Sequence, residues 1–239
     1  LVPVILVVAL AAPQAAAQSG SEWEFVVAPY LWAAGMDGTV RIGDLQQEAE
    51  IPFSDIIENL EFALMGHFEM QNERWALSSD LVFVDLEDQQ DLDQGTVTVG
   101  VDLTLFELAG GYRVTPAVTL LLGARWADAG TSFHYGGEVL EADAEASKSW
   151  IDPLVGVHVV APLSDRWMVD LRGDLGGFGV GSDLTWQAYA NVGFKASDLI
   201  TVVAGYRALD MDFEDDDGFQ TIGLDLLISG PLLGVAFTF

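Results

Sequence analysis

Residues 184–207 read LTWQAYANVGFKASDLITVVAGYR. Leu184, Trp186, Ala188, Ala190, Val192 and Phe194 share one parity, and Thr185, Gln187, Asn191 and Lys195 the other. After Ser197-Asp198 the rhythm resumes, with Ile200, Val202, Ala204 and Tyr206 against Thr201, Gly205 and Arg207. Period-two alternation is the mark of a strand with one apolar face, and a short polar break between two such strands predicts a hairpin. The same pattern recurs upstream. Trp75, Leu77, Leu81 and Phe83 oppose Ala76, Ser78 and Asp80; Val118, Leu120, Leu122, Ala124 and Trp126 oppose Thr119, Gly123 and Arg125; Trp167, Val169 and Leu171 oppose Asp170, Arg172 and Asp174.

Alternation alone fits a soluble sandwich as well as a membrane barrel. Two features separate them. The polar parity carries arginines and acids in mid-strand while the apolar parity is unbroken, as expected when one face meets lipid and the other a lumen. Large aromatics also mark both ends of the apolar faces: Trp75 and Phe83 are eight residues apart, and so are Trp186 and Phe194. Eight tilted steps of about 3.3 Å cover roughly 20 Å of height, close to the apolar band that aromatic girdles flank. Trp23, Tyr112, Trp126, Trp150 and Trp167 are expected near strand ends. The fold class read from this is all-β, an antiparallel up-and-down transmembrane β-barrel.

Composition narrows the class further. Of 239 residues, 37 are Asp or Glu and 9 are Lys or Arg, giving a formal net charge of -28. Such an acid excess repels phosphate backbones and argues against a nucleic-acid partner. The absence of cysteine excludes disulfides and thiolate metal sites. With 51% hydrophobic residues the chain is too apolar to be a disordered acidic segment. Leu1 to Ala12 is nearly all apolar, and Ala15-Ala16-Ala17 fits a cleavage site before Gln18, so residues 1–17 are read as a truncated, cleaved signal peptide and 18–239 as one barrel domain. About 12 apolar residues are too few to span a bilayer as a helix.

Connections alternate between short and long. Asn72-Glu73, Thr115-Pro116, Ser164-Asp165 and Ser197-Asp198 are short; 33–60, 87–95, 132–148, 178–183 and 213–218 are long. Outer-membrane barrels have short periplasmic turns and longer external loops. Strands are expected near 22–32, 61–71, 74–86, 96–114, 117–131, 149–162, 166–177, 184–196, 199–212 and 219–239, about ten in all, with both termini periplasmic. Two places leave eight or twelve open. Val40 to Phe53 could form an extra hairpin after an Asp37-Gly38 turn, with Ser54 capping a helical turn over Asp55 to Leu60. Ile222, Leu224, Leu226 and Ile228 have opposite parity to Val235, Phe237 and Phe239, which predicts a bulge or a turn at Ser229-Gly230-Pro231.

The terminal Phe239, with Phe237 and Val235 alternating behind it, resembles the C-terminal signal by which bacterial outer-membrane barrels are recognised for assembly. Trp23-Glu24-Phe25 leading to Pro29-Tyr30-Leu31-Trp32, Gly35-Met36-Asp37-Gly38, Trp150-Ile151-Asp152-Pro153, the stretch GGFGVGSDLTWQ at 176–187, the Gly-Tyr-Arg triplets at 111–113 and 205–207, and Gly230-Pro231-Leu232-Leu233-Gly234 together resemble a family of small uncharacterised outer-membrane β-barrel proteins of proteobacteria. The resemblance covers nearly all of residues 18–239. It implies a fold and a bacterial outer-membrane location, with lipid, lipopolysaccharide and, through Phe239, the barrel assembly machinery as partners. It implies no catalytic residues.

Counting from the short turns places Asp80, Glu107, Arg125, Asp174 and Arg207 at one height inside the lumen, and Arg172, Asp170, His67, Glu69 and His158 somewhat lower. Arg113 is grouped with them, since four of the nine basic residues (Arg113, Arg125, Arg172 and Arg207) fall on lumen parity. A charge layer of both signs across mid-lumen follows. It is either a structural network plugging the barrel or the constriction of a narrow, porin-like pore for small solutes. Two pairs suit general-base chemistry at spacing i, i+2: His67 with Glu69, and His134 with Ser132 in an external loop. Each is better read as a hydrogen-bonded or loop pair than as an enzyme site. The acidic stretches 85–93 and 210–217 suit a solvated face or weak binding of divalent ions bridging to lipopolysaccharide, and surface binding through these loops is the alternative role. Gly177-Phe178-Gly179-Val180-Gly181 lacks the following helix of a dinucleotide site and reads as a bend. No cofactor or metal motif is expected.

Overall fold

The computed structural model describes residues 23–42, 45–92, 95–137, 141–216 and 221–239; the expected signal peptide lies outside the described residues. The elements run β1 (Glu24–Trp32), β2 (Gly35–Ile42), β3 (Leu45–Ile51), α1 (Phe53–Glu58), β4 (Leu60–Gln71), β5 (Trp75–Leu92), β6 (Gly95–Thr115), β7 (Val118–Gly137), β8 (Glu141–Pro162), β9 (Trp167–Gly177), β10 (Leu184–Lys195), β11 (Ile200–Asp216) and β12 (Thr221–Thr238). From β4 to β12 each strand pairs antiparallel with the next, β1 pairs with β4, and β12 returns to β1. The ring so closed has ten strands. Where all ten staves pair, closure leaves no unpaired edge; toward the long-strand end, β8 before Leu154 pairs only with β7.

The strand count turns on the β2–β3 hairpin. β12 has two partners on one side, β1 along Leu232 to Thr238 and β2 along Ile222 to Ser229. So β1 and β2 continue one line of the wall, broken at Ala33-Ala34. The break lies opposite Gly230-Pro231, where a Cβ on Gly230 would come within 2.1 Å of the Ala33 carbonyl oxygen. β3 pairs with β2 beyond the ring and adds no stave to it. The expected turn at Asp37-Gly38 is instead the interior of β2, and α1 starts two residues earlier than expected, after Pro52, with Ser54 inside it rather than capping it.

One end of the barrel carries the short turns, and all four use the same device. Asn72 Oδ1 accepts from the Arg74 and Trp75 N–H groups, Thr115 Oγ1 from Ala117 and Val118, Ser164 Oγ from Arg166 and Trp167, and Ser197 Oγ from Ile200. A short polar side chain replaces the backbone acceptor that the reversing chain lacks. At the other end β5 to β8 run on for 18 to 22 residues each.

The outer face is an apolar belt, with Leu122 69% exposed on it. Near the short turns Trp75 meets Tyr112 edge-on at 5.3 Å and Trp167 meets Phe194 at 4.9 Å. Higher up, Phe62 meets Phe83 at 5.7 Å and Phe106 lies opposite Trp126. The belt stops one step further on: Asp85 and Asp102 are directly opposed, and Asp128 follows Trp126 on the same face. Two rings of aromatics bounding an apolar band is the outer surface of a lipid-spanning barrel.

Inside, a second apolar region fills the lumen toward the long-strand end. Trp32, Val82, Leu105, Leu209, Met211 and Ile228 are among its buried members, and Ile56 of α1 joins them. This explains the parity change in β12. The strand pairs with β11 without a register shift from Thr221 to Phe237, so the expected bulge or turn is absent. Near Phe239 its apolar residues face lipid; above Gly230, Leu224, Leu226 and Ile228 face the plug. Trp150 also belongs to the interior, stacked on Phe213 at 4.5 Å, and not to a girdle.

The glycine run after β9 forms a loop that leans onto the barrel. Gly177, Phe178 and Gly179 have positive φ (84°, 55° and 72°), a left-handed bend that only the glycines adopt without strain. It delivers Ser182, whose N–H and hydroxyl both donate to the buried Asp152 carboxylate at 2.6 and 2.8 Å, while Trp150 Nε1 donates to it at 3.2 Å. Leu209, 0% exposed in the plug, tests the account of the interior. Leu209→Ala should cost about 2–5 kcal/mol in urea unfolding from detergent micelles, followed by the heat-modifiable gel shift. Leu122→Ala on the belt should cost far less.

Candidate functional site in the lumen

The lumen is organised in levels because inward positions recur every second residue on each strand. The middle level begins with Arg125 of β7. Its Nη2 donates to Glu107 Oε2 of β6 at 2.8 Å and to Asp174 Oδ1 of β9 at 2.7 Å, and its Nη1 to Thr185 Oγ1 at 3.2 Å. Arg172 of β9 completes the ring, with Nε donating to Asp174 Oδ2 at 2.9 Å and Nη2 to Glu107 Oε1. Two guanidinium groups alternate with two carboxylates, and all four carboxylate oxygens are used. These four side chains are 0–5% exposed. Charges so far from water persist only when paired and fully hydrogen-bonded, and this tetrad satisfies both conditions.

Arg207 of β11 forms a second pair at the same level. Its Nη1 donates to Asp80 Oδ1 at 2.9 Å and to the Tyr30 hydroxyl oxygen at 2.8 Å, and its guanidinium lies 4.7 Å from the centre of the Trp32 ring. Tyr30 in turn donates to Asp80 at 2.8 Å. Gln187 joins the two networks: its Oε1 accepts from Arg207 Nε at 2.9 Å, and its Nε2 donates to Asp174 at 3.2 Å. Three arginines therefore stand against Glu107, Asp174 and Asp80, while a fourth buried carboxylate, Asp152, lies across from Arg125 on β8 and is held by Ser182 and Trp150 instead of a cation. The plug begins one step above it on several strands: Val82 follows Asp80, Leu209 follows Arg207, and Leu105 lies beyond Glu107.

Below this level lies a chain of imidazoles and carboxylates. His67 Nδ1 is 3.4 Å from Asp80 Oδ2 and its Nε2 is 3.7 Å from Glu69 Oε2. His158 Nδ1 is 4.0 Å from Glu69 Oε2, its Nε2 is 2.7 Å from Asp170 Oδ1, and Asn191 donates to Asp170 Oδ2 at 3.1 Å. These groups roof a cavity of about 250 Å³ that extends to the short-turn end, where Glu24, Gln71, Thr201 and Thr238 line it.

Ten of the eleven residues grouped by sequence thus stand on two adjoining levels. Arg113 stands apart. Its guanidinium donates to the Asn72 and Pro116 carbonyl oxygens at 2.8 Å each and ties two short turns together. Ser132 and His134 lie on the outer face of β7, where His134 Nδ1 is 2.5 Å from Asp143 Oδ1 and Ser132 Oγ sits over Gly100. The sequence reading missed Tyr30, Trp32, Gln187, Asp152 and the plug. Where plug and belt overlap, both parities are apolar, as in Leu81-Val82-Phe83-Val84, and that local loss of alternation was the available signal.

No family model and no curated protein matches the chain. Among solved structures it is similar to the outer membrane protease OmpT of Escherichia coli, at 9% identity over 95% of this chain and 99% of that one, with a TM-score of 0.53. The translocator domain of the autotransporter NalP of Neisseria meningitidis is 13% identical over 92% and 90% of the two chains, with a TM-score of 0.45. Ail of Yersinia pestis is 8% identical over 92% and 100%, with a TM-score of 0.36. The fold is that of the outer-membrane β-barrels.

Arg125 and Arg113 provide a direct contrast. Arg125→Ala should lower stability by about 3–5 kcal/mol, because it leaves two buried carboxylates short of a partner. Arg113→Ala should cost about 1 kcal/mol, the scale of lost hydrogen bonds at a wet rim. Urea titrations of both variants in micelles, read by tryptophan fluorescence, check the difference.

Proposed function

We propose that this chain is a closed, non-conducting barrel of the bacterial outer membrane, with a structural role and two working ends in place of a through-pore. The observation that carries the reading is the tetrad of Glu107, Arg125, Arg172 and Asp174, whose side chains are 0–5% exposed. A constriction that selects ions keeps its charged groups in contact with water. Here the charges neutralise one another, and the apolar plug above them offers a solute no polar partner. The porin-like reading would need both levels to move aside.

In this reading the short turns face the periplasm and the long strands face outward. Phe239, bonded through its backbone to Phe25 at 2.9 and 3.1 Å, is the assembly signal at the seam. A second role, surface binding at the outer end, is favoured by the like charges set directly across from one another there, Asp85 with Asp102 and Asp212 with Asp225. Opposed acids destabilise a sheet unless a counter-ion offsets them, and divalent ions shared with lipopolysaccharide phosphates would do so. No catalysis is part of this proposal.

The test is conductance of the refolded chain in a planar bilayer, after a heat-modifiable gel shift has shown it folded. The expected result is silence across the usual voltage range. Discrete, reproducible steps would overturn the proposal and return the lumen to the porin-like reading.

A further inference from the structure

The cavity below the charged level has a chemistry of its own. Its roof carries Glu69 and Asp170, and Glu24 stands at its mouth with Gln71 donating to it at 2.6 Å. The three arginines of the lumen are engaged with carboxylates one level up. Glu69 and Asp170 are left facing imidazoles and an amide, and Glu24 an amide. Asn191, 6% exposed, also lines the cavity, and its Oδ1 is buried without a hydrogen-bond partner. An unmatched acceptor in such a place is costly unless a donor arrives. The facing wall, from β11, β12 and β1, is small and apolar, with Val26, Ala28, Val203 and Ala236.

We propose that this cavity is a binding site for a small organic cation, a protonated amine carrying a short apolar group. The ammonium is drawn to Glu69 and Asp170, and a turn of the Asn191 amide would present its oxygen while taking its Nδ2 off Asp170, whose freed oxygen then accepts from the ammonium. The hydrocarbon lies against the apolar wall. An anion would meet Glu24, Glu69, Asp80 and Asp170, and the one arginine in the lining, Arg207, is already paired with Asp80. A bare metal ion is disfavoured, since no group of three or more histidine or acidic side chains among the described residues is set to hold one. The volume of about 250 Å³ lies just under the usual range for small-molecule pockets, which points to a compact ligand. The site requires only the roof and the walls, so it stands whether or not the barrel conducts.

Calorimetric titration of the folded full chain in micelles tests this, using benzylammonium as the probe and benzyl alcohol and benzoate as matched controls. The expected result is saturable uptake of benzylammonium, one per barrel, with neither control bound. Glu69→Gln and Asp170→Asn should each weaken it about tenfold or more, the scale of one charge-assisted hydrogen bond. The heat-modifiable gel shift confirms that each variant is folded, and the three-ligand series on the unaltered chain holds if one is not. Absence of saturable benzylammonium binding, or equal binding of benzyl alcohol or benzoate, would overturn the proposal.

Discussion

A guanidinium group enclosed by a ring of strands has almost no water to solvate it, and everything inside this barrel is arranged around that fact. Desolvating a charge costs several kcal/mol that only close, complete pairing offsets. Arg125 and Arg172 meet the requirement with the same two carboxylates, one from β6 and one from β9. The tetrad therefore sets how those strands stand relative to one another. A register slip of one residue would turn Glu107 or Asp174 out toward lipid and leave buried charge behind. The charged level also divides the lumen. Above it the wall is lined with leucine and valine, and the one buried carboxylate at that border, Asp152, is solvated by Ser182 and Trp150. Below it the space stays open, polar at its roof and apolar along β11, β12 and β1.

The wall itself was largely legible in the sequence. Strands facing lipid on one side and a lumen on the other must alternate, and Leu184 to Phe194 does so without a break. The short turns were legible too, because each needs a small polar side chain at its first position. Heights counted from those turns brought Glu107, Arg125 and Asp174 together before any contact was known. Arg113 was grouped with them on parity alone, and parity says which way a side chain points and not how far it sits from the rim.

What escaped reading was the interior apolar region, and the reason is physical. A strand can be apolar outward because of lipid or inward because of a plug, and parity does not say which. In β12 the two cases follow one another, so a regular strand looked interrupted at Gly230-Pro231. Trp150 misled in a similar way: a tryptophan near a strand end suits a girdle, yet this one has inward parity and stacks on Phe213. The Asp37-Gly38 pair, a strong hairpin signal in isolation, is overridden because β2 has β12 to pair with.

The seam between β1 and β12 has a consequence in time. Nearly every other contact in the ring joins strands that are neighbours in the chain, so those hairpins form locally and at small entropic cost. Ring closure joins Val26 to Thr238, a loop of almost the whole chain, and distant pairings of this kind are slow. The tetrad spans only β6 to β9, so it assembles within an open sheet. The pair of Arg207 with Asp80 and Tyr30 joins β11 to β5 and β1, and it exists only once the ring is shut. Two buried arginines, Arg125 and Arg172, thus belong to the nascent sheet, and the third, Arg207, acts as the latch of the finished barrel.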